Sequence, residues 1–147
     1  MSIYVPIIQG IYTLLASAAR TASPTAMNGK DIIDPLNANA RFSTAINPEV
    51  SGLIAYLNVT VAPGVETLQL ILEEQDPLSG VWSQVTATTA TTTTGMVKMK
   101  VKPAVTAVAA STTGVVVQDV LPAIWRIRVA HSAASSWTYS LSLVLYN

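Results

Sequence analysis

Val97, Met99 and Val101 alternate with Lys98, Lys100 and Lys102, and near the end of the chain Trp137, Tyr139, Leu141, Leu143 and Leu145 alternate with Thr138, Ser140 and Ser142. Successive side chains of an extended strand point to opposite faces, so a period of two marks a sheet with one face on a core. The same rhythm runs through Leu53, Ala55, Leu57, Val59 and Val61 against Ile54, Tyr56, Asn58 and Thr60. It returns in Leu68, Leu70 and Leu72 against Thr67, Gln69 and Glu73, and again over 124–129. Helical spacing is sustained nowhere; only 20–30 would accommodate a short helical turn.

Turn chemistry separates these runs. Pro63-Gly64 and Pro103 stop two of them, and Asp76-Pro77-Leu78-Ser79-Gly80 joins two others. Asp bonds its own backbone, Pro presets φ and Gly tolerates positive φ. Short strands broken at such intervals predict an all-β antiparallel sandwich or barrel. Enrichment in Val, Thr and Ile agrees with it. A chain of 147 residues is one domain by length. We place the β domain at 11–147, with a first strand over 11–19 and a long irregular segment at about 20–49 that holds Pro24, Pro35, Pro48 and Asn28-Gly29. The apolar, proline-containing residues 1–10 read as an extended N-terminal arm that orders on a neighbour; their other reading is the first strand of the domain's own sheet.

Composition then limits the function. Eight Lys and Arg balance eight Asp and Glu, which excludes affinity driven by phosphate neutralisation, so no direct nucleic-acid partner is expected. With no cysteine and one histidine, thiol chemistry and zinc clusters are excluded as well, and no metal or cofactor is expected. No unbroken apolar stretch is long enough to span a membrane. Pro6, Gln9 and Gly10 interrupt the leading apolar run, and a basic flank is lacking, so that run does not read as a signal peptide. Charged residues make up only 11% of a chain that is 50% hydrophobic. Sixteen ionic side chains are too few to coat a free-standing particle of this size, and zero net charge removes the repulsion that keeps monomers apart. The chain therefore reads as part of an assembly.

Catalytic constellations are weak. His131 has Ser132 beside it and Asp119 upstream, but nothing in the spacing brings a triad together, and no nucleophile elbow is present. Glu73, Glu74 and Asp76 form the tightest acidic cluster, yet neighbours in a strand point to opposite faces, so we expect a solvated strand end beside a turn. No enzyme activity is expected. The threonine-rich 86–94 reads as a solvated strand and hairpin. Trp82, Trp125 and Trp137 read as core anchors; exposed, Trp82 or Trp137 would instead offer a surface for stacking sugars.

The column Lys98, Lys100, Lys102 is the sharpest polar feature. Three like charges on one face are tolerable in water or against an acidic partner. On an edge strand they would block edge-to-edge pairing; facing a partner they would steer docking onto a negatively charged protein surface.

Three stretches carry a resemblance: Thr13-Leu14-Leu15-Ala16-Ser17-Ala18-Ala19-Arg20-Thr21-Ala22-Ser23, then Asp76-Pro77-Leu78-Ser79-Gly80-Val81-Trp82, then Leu121-Pro122-Ala123-Ile124-Trp125-Arg126-Ile127-Arg128-Val129-Ala130-His131-Ser132 with Trp137-Thr138-Tyr139-Ser140. In this order, over residues 11–22 and 50–147, the chain resembles the small all-β capsid decoration (cement, head-stabilising) proteins of tailed bacteriophages. The longer N-terminus and the 23–49 insertion depart from that pattern. The resemblance implies a jelly-roll or β-tulip-like domain that forms homotrimers. These would sit on the outer surface of the expanded capsid, clamp neighbouring major capsid subunits and stabilise the shell. It implies a virion protein made in the host cytoplasm. Lattice or subunit contacts are then expected at Ile3, Tyr4, Val5, Pro6, Ile7 and Ile8, at Arg41 and Phe42, and at Lys98, Lys100 and Lys102. A tail, collar or head-fibre component and a carbohydrate-binding jelly roll are the competing readings.

Overall fold

A computed structural model describes residues 8–21, 27–28, 32–33, 41–42, 51–122 and 124–146. The described part is all-β, with two sheets on one core. In chain order the strands are β1 (Ile8–Arg20), β2 (Met27–Asn28), β3 (Ile32–Ile33), β4 (Arg41–Phe42), β5 (Gly52–Val61), β6 (Leu68–Gln75), β7 (Trp82–Ala87), β8 (Gly95–Lys102), β9 (Val108–Ser111), β10 (Gly114–Gln118), β11 (Trp125–His131) and β12 (Trp137–Tyr146). One sheet has six strands in the order β1-β12-β5-β8-β10-β9, and the other has four in the order β2-β11-β6-β7. The pair β3–β4 stands apart, with Ile32 opposite Phe42 and Ile33 opposite Arg41.

Alternation builds the core as expected. Leu53, Ala55, Leu57, Val97, Met99, Val101, Leu141, Leu143 and Leu145 come from the larger sheet, and Leu68, Leu70, Leu72, Trp125, Ile127 and Val129 face them from the smaller one. Trp137 and Tyr139 are also fully buried. Each such side chain withdrawn from water contributes about 1.5–3 kcal/mol before the entropy of ordering is counted. Trp82 is the exception among the tryptophans: it is half-buried, with the Arg126 guanidinium 4.2 Å above its ring.

Three expectations need correction. The sandwich is not antiparallel throughout, because β10 runs parallel to β8, with Val115 opposite Met99 and Val117 opposite Val101. Val115 is buried and Val117 packs on the core, whereas every residue of β9 is exposed. The strand with core-facing valines therefore takes the inner place, and its hairpin partner becomes the edge. The lysine column consequently lies on an interior strand, paired to β5 on one side and β10 on the other, so its role is not to guard an edge. The threonine-rich segment is not a solvated hairpin either. β7 ends at Ala87, and Thr88 and Thr91 are buried, where they hold β6: Thr88 N donates to Leu70 O at 3.0 Å, and Leu68 and Thr91 exchange backbone bonds of 2.9 and 2.8 Å.

β1 begins at Ile8, so Ile8–Gly10 belong to a strand of the domain's own sheet, with Ile8 opposite Tyr146. This long edge strand is protected near its end. Arg20 turns back and donates to the carbonyls of Ala16 (2.7 Å), Ala18 (3.0 Å) and Tyr139 (2.7 Å), which occupies acceptors that another strand could use.

Candidate functional site

Directly opposed residues share a face, so the registers define the outer surface of the six-stranded sheet. One row crosses all six strands: Ile11, Val144, Ile54, Lys100, Val116 and Val108. Five of these six are aliphatic. The end members Ile11 and Val108 are 64% and 55% exposed, while Ile54, in the middle of the row, is buried at 7%. The next row is Thr13, Ser142, Tyr56, Lys98, Gly114 and Ser111. On the other side Tyr146, Gly52 and Gln118 share a row with Lys102, since Gly52 opposes Tyr146 and Lys102 opposes Gln118.

Lysine thus runs down the middle of a face whose other side chains are aliphatic in one row and mixed aromatic and polar in the rows beside it. Lys98 is exposed, and Lys100 and Lys102 are half-buried. Lys102 Nζ lies 4.5 Å from the centroid of the Tyr146 ring. Gly52, in the row between them, is fixed by backbone contact: a Cβ there would meet Val101 O at 2.8 Å and the Lys102 stem at 3.1 Å. Burial raises the Tyr146 phenol above its ordinary value, and nearby Tyr56 adds to the shift. The phenol therefore stays neutral and does not offset the lysines. Among the described residues no carboxylate shares this face: Glu73 and Glu74 are on β6, and Glu66, Asp76 and Asp119 are in loops. A face of one sign of charge with aliphatic and aromatic side chains beside it suits docking onto a surface of the opposite sign.

The other sequence candidates fall elsewhere. Glu73 is buried, which corrects the expectation of a solvated strand end. Arg126 Nε donates to its Oε2, and Arg128 Nη2 lies 3.2 Å from its Oε1. Glu74, one residue on, faces the other way and is exposed. His131 ends β11, with Nε2 2.9 Å from Tyr139 Oη. Burial lowers the His131 pKa first and the neighbouring Arg20 second, with Glu66 opposing; burial pushes the Tyr139 phenol up to about 12. Asp119 lies beyond the far end of β11, about 20 Å away at the usual rise per residue, so His131, Ser132 and Asp119 do not converge. Trp137 is fully buried and has no face free for a sugar. Ile3, Tyr4, Val5, Pro6 and Ile7 lie outside the described residues; Ile8 lies in β1, and Arg41 and Phe42 form β4.

Sequence reasoning found the lysines and missed their companions. Ile54, Tyr56, Val144 and Tyr146 were each legible as the off-core phase of a strand and Val116 was not, and only the registers place all five beside the lysines. No protein-family model matches the chain, and no curated protein matches it.

Proposed function

We propose that this chain is a structural virion protein with a jelly-roll or β-tulip-like fold. It binds the outer surface of an expanded phage capsid as a homotrimer and stabilises the shell. The lysine face of the six-stranded sheet, with Ile11 and Val108 exposed at its margins, carries the reading, in a chain with only sixteen ionic side chains. Such a face is costly in water and favourable when a partner covers it. The resemblance of 11–22 and 50–147 to capsid decoration proteins supplies the setting. Ile3, Tyr4, Val5, Pro6, Ile7 and Ile8, together with Arg41 and Phe42, are the proposed contacts to the lattice or to neighbouring subunits.

The mechanism is stabilisation by linkage. A protein that binds the expanded lattice and not its precursor stabilises the expanded form by its own binding free energy, about 2.7 kcal/mol per site at a hundredfold excess over Kd. Repetition over the lattice then resists internal pressure collectively.

The test is to mix the purified protein with empty expanded and unexpanded shells of the phage that encodes it, and to measure co-sedimentation and shell melting. Saturable binding to expanded shells alone, with a raised melting temperature, is expected. Binding to neither shell, with rings or filaments formed by the protein itself, would move the assignment to a tail, collar or head fibre.

A further inference from the structure

Charge is unevenly sorted across the fold. Two arginines neutralise Glu73, and Arg20 is bonded to three carbonyls. The Glu66 carboxylate accepts the backbone N–H of Ser135 at 2.9 Å, in the loops at the end of the sandwich near His131. Among the described residues this leaves Lys98, Lys100 and Lys102 without an ion-pair partner, and likewise the exposed acids Glu74, Asp76 and Asp119. Three cations stand on one face, and three anions stand elsewhere.

Those anions share one end of the sandwich. Glu74 and Asp76 flank the last residue of β6, Gln75, and Asp119 opens the connection from β10 to β11. That connection is tied to both sheets, by Leu121 N to Ser51 O (2.8 Å) and by Gln75 N to Ile124 O (3.1 Å). The same end exposes Leu78, Val81 and Val120, Leu78 to 95%. Leu78 is held in place by its turn: its N–H donates to Asp76 Oδ1 (2.9 Å), Ser79 Oγ donates to Asp76 Oδ2 (2.8 Å), and Gln75 Nε2 donates to Gly80 O (2.9 Å). An apolar tip on a rigid turn loses little entropy on docking.

We infer that a second copy of this chain covers the lysine face, entering with the acidic, leucine-tipped β6–β7 end. The inference rests on the oligomeric part of the function proposed above. Two lysine faces set against each other would repel, which disfavours a two-fold pairing of like faces. An acidic end on a basic face is a head-to-tail contact, which builds a ring where the rotation closes and an open filament where it does not. Lys102 lies at the same end of the molecule as Asp119, because Gln118 is its register partner. The lysine column therefore reaches the end of the sandwich that carries the acids.

Two charge-reversed proteins test this by sedimentation equilibrium and native mass measurement, each first shown to melt cooperatively. One carries Lys98→Glu and Lys100→Glu; the other carries Glu74→Lys and Asp119→Lys, with Asp76 kept because it builds the turn. Each alone should dissociate at a concentration at least about tenfold higher than the natural chain. Mixed together they should reassociate, because each then meets its complement, and alternation should favour even-numbered rings over trimers. Leu78→Ser should weaken the natural oligomer similarly. If both reversed proteins keep the natural oligomer, the inference fails and the oligomeric reading stands. If the natural protein is itself a monomer, both fail. If the lysine variant keeps its oligomer but no longer binds expanded shells, the face belongs to the lattice and the inference is overturned while the function survives.

Discussion

Glu73 and His131 show how much the meaning of a residue depends on what the fold sets beside it. Glu73 reads as a solvated carboxylate because its partners Arg126 and Arg128 lie more than fifty residues away in sequence, the first of them fifty-three. Once β6 and β11 pair, one buried carboxylate bridges two guanidinium groups that remain partly exposed. Removing it in Glu73→Ala should lower unfolding free energy by about 2 kcal/mol, short of the loss for a fully buried pair because solvent screens both arginines; urea denaturation would show it as a lower midpoint with unchanged slope. The His131 ring titrates below its ordinary 6.5, chiefly because it is partly desolvated. A base whose folded pKa is depressed takes up its proton more readily when unfolded. Stability should therefore fall as pH drops through 6.5 and keep falling until the folded ring protonates. Melting temperatures of the natural chain and His131→Gln, compared between pH 7.5 and 5, should converge toward the acid end if this holds.

At the scale of strands, legibility followed periodicity. The last strand runs over Trp137–Tyr146 as alternation predicts, since five consecutive core positions leave no other register that buries them. β9 and β10 are not legible in the sequence, because Val115, Val116 and Val117 form a run without alternation and β9 has no buried residue to signal it. Parallel pairing of β8 and β10 is likewise not a local property; it follows from which strand has valines to bury. Gly114 shows how closely the two approach: a Cβ there would stand 2.3 Å from Lys98 O, at a φ of +157°. Gly114→Ala should thus cost about 2 kcal/mol or more by forcing β10 off β8, and hydrogen exchange should show the loss concentrated at Val97–Lys102 amides and over 108–118. Uniform loss of protection across both sheets would contradict that local account.

Across the whole molecule, composition and geometry make the same demand by different routes. Too few ionic groups to coat the surface was readable from the counts alone. Which surface gathers the lysines was not, because it depends on six strands lining up Ile11, Val144, Ile54, Lys100, Val116 and Val108. Truncating the row in the folded protein should therefore alter association more than stability: Val116→Ser and Ile11→Ser together should raise the dissociation concentration several-fold while moving the melting temperature of the dissociated chain little. The most direct measurement is the solution mass of the natural chain across a broad concentration range at neutral pH. A closed assembly at three times the 15.5 kDa chain mass is predicted, persisting to low micromolar concentration; a single copy that stays soluble and undissociable at every concentration would contradict the claim that this face is built to be covered.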